Sequence, residues 1–72
     1  MKPVVYTAEN CHQCQMVKDF VENSRVETEI KNVDHQNEVP PKDIFVYPAL
    51  FIGSELVAYG EDIIKYYKNK LI

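Results

Sequence analysis

Two cysteines stand three residues apart in Cys11-His12-Gln13-Cys14. Thiols at that spacing can close a disulfide within one helical turn and open it again. What surrounds them decides whether they react. The β-branched run Val4-Val5-Tyr6-Thr7 leads in, and Met16-Val17-Lys18-Asp19-Phe20-Val21, with helical spacing, leads away. The pair therefore falls on a strand-to-helix turn, with Cys11 at or near a helix N-terminus. Unpaired N–H groups and the positive end of the helix dipole there favour a thiolate over a thiol. A thiolate beside a second thiol suits disulfide exchange better than a static crosslink. In this reading Cys11 attacks and Cys14, one turn inward, resolves the mixed disulfide. A protonated His12 would lower the thiol pKa, whereas Glu9 would raise it.

Other uses of the pair are weaker. A structural disulfide over so short a loop removes little chain entropy and does not persist in a reducing compartment. Structural zinc takes four ligands as a rule; with no second cysteine pair, only His12 and His35 are left to complete a set. No bound metal is expected.

Two further constellations belong with the cysteines. Val46-Tyr47-Pro48 precedes an apolar run. Were the Tyr47–Pro48 bond cis, the Tyr47 backbone would face the cysteines and offer a short extended edge to a substrate strand; a trans proline that opens a strand is the commoner case. In Tyr59-Gly60-Glu61-Asp62, Gly60 allows a positive-φ turn, and Asp62 sits among the free N–H groups of a helix start. There Asp62 could bind the amine of a small thiol substrate or cap the helix. Tyr6 and Tyr47 either flank the redox site or pack beneath it.

The elements that must position these residues follow from periodicity. A strand is expected over Pro3–Thr7, with the proline tolerated at its first position, and a turn over Ala8-Glu9-Asn10. A helix follows from about Cys11 to Asn23 or Ser24, with Met16, Val17, Phe20 and Val21 on one face. The alternation of Val26, Thr28 and Ile30 with charged residues marks a second strand, Val26–Val33, with one wet face. Pro40-Pro41 forbids a regular helix across that point, leaving room for a short helical turn at Pro41–Phe45. Ala49–Ile52 and Glu55–Ala58 form a hairpin around Gly53-Ser54. A closing helix spans about Glu61–Leu71, with Ile63, Ile64, Tyr67 and Leu71 on one face. The first crossover is βαβ, so the first two strands run parallel, and the hairpin adds antiparallel ones. The expected fold is α/β, a mixed four-stranded sheet flanked by helices.

Seventy-two residues make a single domain, 1–72, with a thin core. Apolar residues at 46% and charged residues at 26% describe a globule rather than a disordered chain, and no run reaches the ~20 residues of a membrane helix. A net charge of −3, without a basic stripe, argues against a nucleic-acid partner. Met1-Lys2-Pro3 leads straight into the first strand with no apolar signal core, so a cytoplasmic location is expected.

Taken in order, Val4–Thr7, the Cys11-to-Cys14 motif, Tyr47-Pro48, the Ala49–Ile52 strand and the Gly60-Glu61-Asp62 helix start resemble the glutaredoxin family of the thioredoxin-like fold over nearly the whole chain. The resemblance implies a nucleophilic Cys11, a resolving Cys14 and a cis-proline at Pro48 facing Cys11. It implies a dithiol–disulfide oxidoreductase acting on disulfide-containing proteins, with no bound cofactor; a monomer is expected, because a small electron carrier must expose its cysteine face to successive partners. Two branches imply two electron donors. Glutathione-dependent glutaredoxins match at Gly60 and Asp62, with Ala8 and Tyr59 where that branch has lysine and glycine. The NrdH-redoxin type, similar at Cys11-x-Gln13-Cys14 and Met16-Val17-Lys18, is reduced by thioredoxin reductase and serves ribonucleotide reductase. Two other classes fit the same residues: a thioredoxin-like binding module recognising partners through Tyr47–Pro48, and a metal or iron–sulfur carrier.

Overall fold

The computed structural model describes residues 2–34, 40–41, 44 and 46–70. Its element order is β1 (Val4–Thr7), α1 (His12–Ser24), β2 (Glu29–Asn32), β3 (Ala49–Ile52), β4 (Glu55–Tyr59) and α2 (Asp62–Lys70). The strands form one mixed sheet in the order β2-β1-β3-β4. β1 pairs parallel with β2, placing Val5 beside Ile30 and Thr7 beside Asn32. β3 pairs antiparallel with both β1 and β4. The result is the small α/β domain that the periodicity led us to expect.

Side-chain alternation splits the core between the two sheet faces. On one face Val5 and Leu50 meet Val17 and Val21 of α1 and Ile63 and Tyr67 of α2. On the other, Tyr6, Ala49 and Phe51 cluster with Val4, Val33, Ile44, Tyr47 and Leu56. The register between β3 and β4 shifts at Leu50/Phe51. Leu50 opposes Ala58 while Phe51 opposes Leu56, so Val57 is the extra residue of a β-bulge.

Element ends differ from expectation for physical reasons. β1 opens at Val4 rather than Pro3 because Pro3 has no N–H to give the ladder; its carbonyl instead accepts from Glu29 N at 2.9 Å. β2 is shorter than Val26–Val33 because a ladder extends only as far as its partner. Val26 turns into the α-helical core, and Thr28 hydrogen-bonds the Tyr67 hydroxyl. Burial raises the Tyr67 pKa, a rise opposed by that bond. β4 runs one residue past Ala58, with Tyr59 paired to Ala49. α1 exits through Arg25 in the left-handed region at φ 55°. α2 begins at Asp62, after Glu61. The helical turn expected at Pro41–Phe45, and Leu71 of the closing helix, fall largely or wholly outside the described residues.

Candidate active site

Cys11 is the N-cap of α1, with extended backbone (φ −112°, ψ 105°). Asn10 before it adopts φ 55°, a left-handed turn that asparagine tolerates better than most residues. This turn swings the chain from the end of β1 into the helix. Cys11 and Cys14 are joined by a disulfide, with Cα atoms 5.2 Å apart. Cys14 N donates to Cys11 Sγ at 3.1 Å, and Gln15 N donates to the Cys11 carbonyl at 3.2 Å. The Cys11 sulfur therefore occupies the position of a capping acceptor, where a thiolate would receive the same N–H. Cys11 is half-buried, whereas only 5% of Cys14 is exposed. An external group reaches Cys11 first.

Across from the pair, the Tyr47–Pro48 peptide bond is cis, the isomer the resemblance implies. The Tyr47 carbonyl oxygen lies 3.7 Å from Cys11 Sγ. Pro48 is buried, and its carbonyl accepts from Gly60 N at 2.7 Å, which ties the β4–α2 turn to the proline. Three segments distant in sequence thus converge: the start of α1, the Tyr47–Pro48 bend and the Gly60 turn.

The backbone at Gly60 requires glycine. Its φ is 51°, and a Cβ added to it would stand 2.6 Å from Gln13 Oε1. The Gln13 carboxamide is a flexible end and can give way; the backbone cannot. Gly60→Ala should therefore cost about 1–2 kcal/mol, the penalty of a left-handed L-residue. Urea titration checks this, with a Gln13→Ala/Gly60→Ala double variant recovering little of the loss. A Gly60→Ala midpoint equal to wild type would remove backbone strain from the account.

The other expected residues are placed as follows. His12 is the exposed first residue of α1, between the cysteines. Asp62 is exposed at the first position of α2, with its carboxylate 3.9 Å from Lys65 Nζ. Tyr6 is in the core, edge-on to Phe51 with ring centroids 5.5 Å apart, so its role there is packing. Tyr47 is half-buried against that same cluster and meets Cys11 through its backbone. Among the described residues no group of three metal-ligating side chains gathers; His35 lies outside them. No described helix is long and apolar enough to cross a membrane.

A cleft of about 910 Å³ opens on the other side of the disulfide, between the β1–α1 turn, the outer face of α1 and the edge strand β2. Thr7, Asn10, Lys18 and Asn32 line it with both cysteines. Sequence reasoning did not single these out. Lys18 was within reach, since it follows Cys14 by four residues and Cys11 by seven, on one helical face. Asn32 joins only through its parallel register with Thr7. No protein-family model matches this chain, and no curated protein matches it.

Proposed function

We propose that this chain is a thioredoxin-like, glutaredoxin-type oxidoreductase that reduces disulfides in other proteins. The observation that carries this reading is the Cys11 sulfur, held at a helix N-cap under the Cys14 N–H, disulfide-bonded to a buried partner, and facing the Tyr47 carbonyl. In the reduced protein the Cys11 thiolate attacks one sulfur of a substrate disulfide, and the other sulfur leaves as a thiolate that takes up a proton. Cys14, losing its proton, then attacks Cys11 Sγ and expels the second substrate thiolate. Two electrons pass to the substrate and the Cys11–Cys14 disulfide remains. A dithiol reductant must restore the pair, or two equivalents of a monothiol.

A protein substrate is favoured by the surface. Among the described residues the exposed large apolar side chains are Met16, Val46 and Tyr59. Val46 adjoins Tyr47, Tyr59 adjoins Gly60, and Met16 lies one turn beyond Gln13. Exposed apolar side chains next in sequence to segments that converge on Cys11 suit a macromolecular partner. Ribonucleotide reductase is one partner the resemblance implies. A cytoplasmic monomer, cycling between donor and acceptor, completes the proposal.

The test is NADPH consumption with insulin as the disulfide substrate, coupled either to thioredoxin reductase or to glutathione and its reductase. Turnover with one system identifies the donor, thioredoxin reductase for the NrdH-redoxin branch and glutathione for the other. Failure with both, and with dithiothreitol as a direct reductant, would sink the reading.

A further inference from the structure

The turn that delivers Cys11 to the helix N-cap is held from the far end of β2. Thr7 ends β1, and its carbonyl accepts from Val33 N at 2.9 Å. Two residues past Thr7 and one past Val33, Glu9 N donates to Asp34 Oδ2 at 2.8 Å. Asp34 is itself set by the hydrogen bond from its own N–H to Asn32 Oδ1, at 2.9 Å. Asn32, Val33 and Asp34 thus form a bracket on the segment that runs through Asn10, at φ 55°, into Cys11. The Glu9–Asp34 bond spans 25 positions of sequence and lies two residues before the reactive sulfur.

We infer that Asp34 is a positioning residue for Cys11: its carboxylate, by accepting the Glu9 N–H, fixes the turn that places Cys11 Sγ under the Cys14 N–H. The inference rests on the reading of Cys11 as the attacking thiolate. A hydrogen bond accepted by a thiolate stabilises it only while the sulfur stays in line with the donor. A slack turn lets the sulfur leave that position and so raises the thiol pKa. The charge of Asp34 acts in the opposite sense, because a nearby anion disfavours a thiolate. Glu9 shares that sign on the same turn, while Lys18, which lines the cleft with Cys11, opposes it, as the neighbouring His12 would only if protonated. Geometry and charge at Asp34 therefore predict shifts of opposite direction, which makes them separable.

The experiment compares wild type, Asp34→Ala and Asp34→Asn in the fully reduced state. Iodoacetamide labelling of Cys11, assigned by peptide mass spectrometry, is followed as a function of pH alongside the thiolate absorbance in the ultraviolet. Asp34→Ala should move the Cys11 titration upward and slow labelling below its midpoint by about fivefold, the weight of one net hydrogen bond. Asp34→Asn keeps an acceptor without the charge, and should return labelling to within about twofold of wild type, with the midpoint at or below the wild-type value. Equal downward shifts in both variants would mean that Asp34 acts through charge alone, and would overturn the inference. So would no shift in either, or an Asp34→Asn defect as large as that of Asp34→Ala. Should Asp34→Ala fail to fold, amide hydrogen exchange in the wild-type protein decides: the Glu9 N–H should be protected, and exchange at the unstructured rate would overturn the inference. Labelling reads the thiol and not turnover, so loss of the Asp34 effect is distinguishable from failure of the oxidoreductase reading.

Discussion

Cys11→Ser should reduce disulfide turnover to background, a loss on the order of 10³-fold or more, as befits removal of a covalent nucleophile. Cys14→Ser should behave differently. With Cys11 intact, the first attack proceeds, but nothing within the molecule can expel the substrate thiolate. The variant should accumulate a mixed disulfide, visible as a non-reducing gel shift that collapses with excess dithiothreitol. The asymmetry follows from position: Cys11 is half-buried at the N-cap, whereas Cys14 is 5% exposed on the inward side of the same turn. If the two serines gave the same phenotype, with neither trapping substrate, the division of labour would be wrong. If Cys11→Ser left every biological activity intact, the chain would be better read as a binding module with incidental thiols.

The cysteine turn was legible in the sequence because its determinants are local. A β-branched strand, a polar turn and a helical apolar stripe occupy consecutive residues, and the N-terminal placement of Cys11 needs no distant partner. The same holds for the hairpin, where Gly53 adopts the positive φ of 64° at a two-residue turn. What resisted reading was set by register. The true extent of β2 depends on where β1 begins, since Val26 and Thr28 have good strand character but in the parallel register fall before Val4. Tyr6 shows the same limit. Its neighbour Val5 is as apolar as a core residue can be, and only the packing of Val33, Ile44, Tyr47 and Leu56 shows that the second face of the sheet is covered too, with Tyr6 against Phe51 and away from solvent. The contacts of Gln13 with Gly60 and of Asp34 with Glu9 join segments 47 and 25 positions apart, and no local signal announces either. The composition of the 34–46 segment pointed to irregular structure, with room for one helical turn at Pro41–Phe45.

The three strands that carry the site are held by a thin core, and Leu50→Ala should expose how thin. Leu50 is fully buried at the middle of β3, between Val5 and Ala58, beneath both helices. Truncation removes three carbons from a position closed by α1 on one side and α2 on the other, so collapse into the cavity is restricted. A loss of about 2–5 kcal/mol is expected. A 72-residue domain has roughly 4–11 kcal/mol in total, and small domains bury a lesser share of their surface. The variant should thus unfold at a much lower urea concentration, or be largely unfolded at 37 °C. A loss under about 1 kcal/mol, measured at unchanged m-value, would show that the two helices close over the gap and that the core is more plastic than its packing implies. The consequence reaches the sulfur along three residues of backbone. Leu50 follows Ala49 and Pro48, and the Pro48 carbonyl receives Gly60 N while the Tyr47 carbonyl faces Cys11. A loosened β3 frees that edge before it frees the cysteine turn, whose own hydrogen bonds lie within α1 and the β2 bracket. Under partly destabilising conditions, Leu50→Ala should therefore lose activity toward protein disulfides while its Cys11 still labels at close to the wild-type rate.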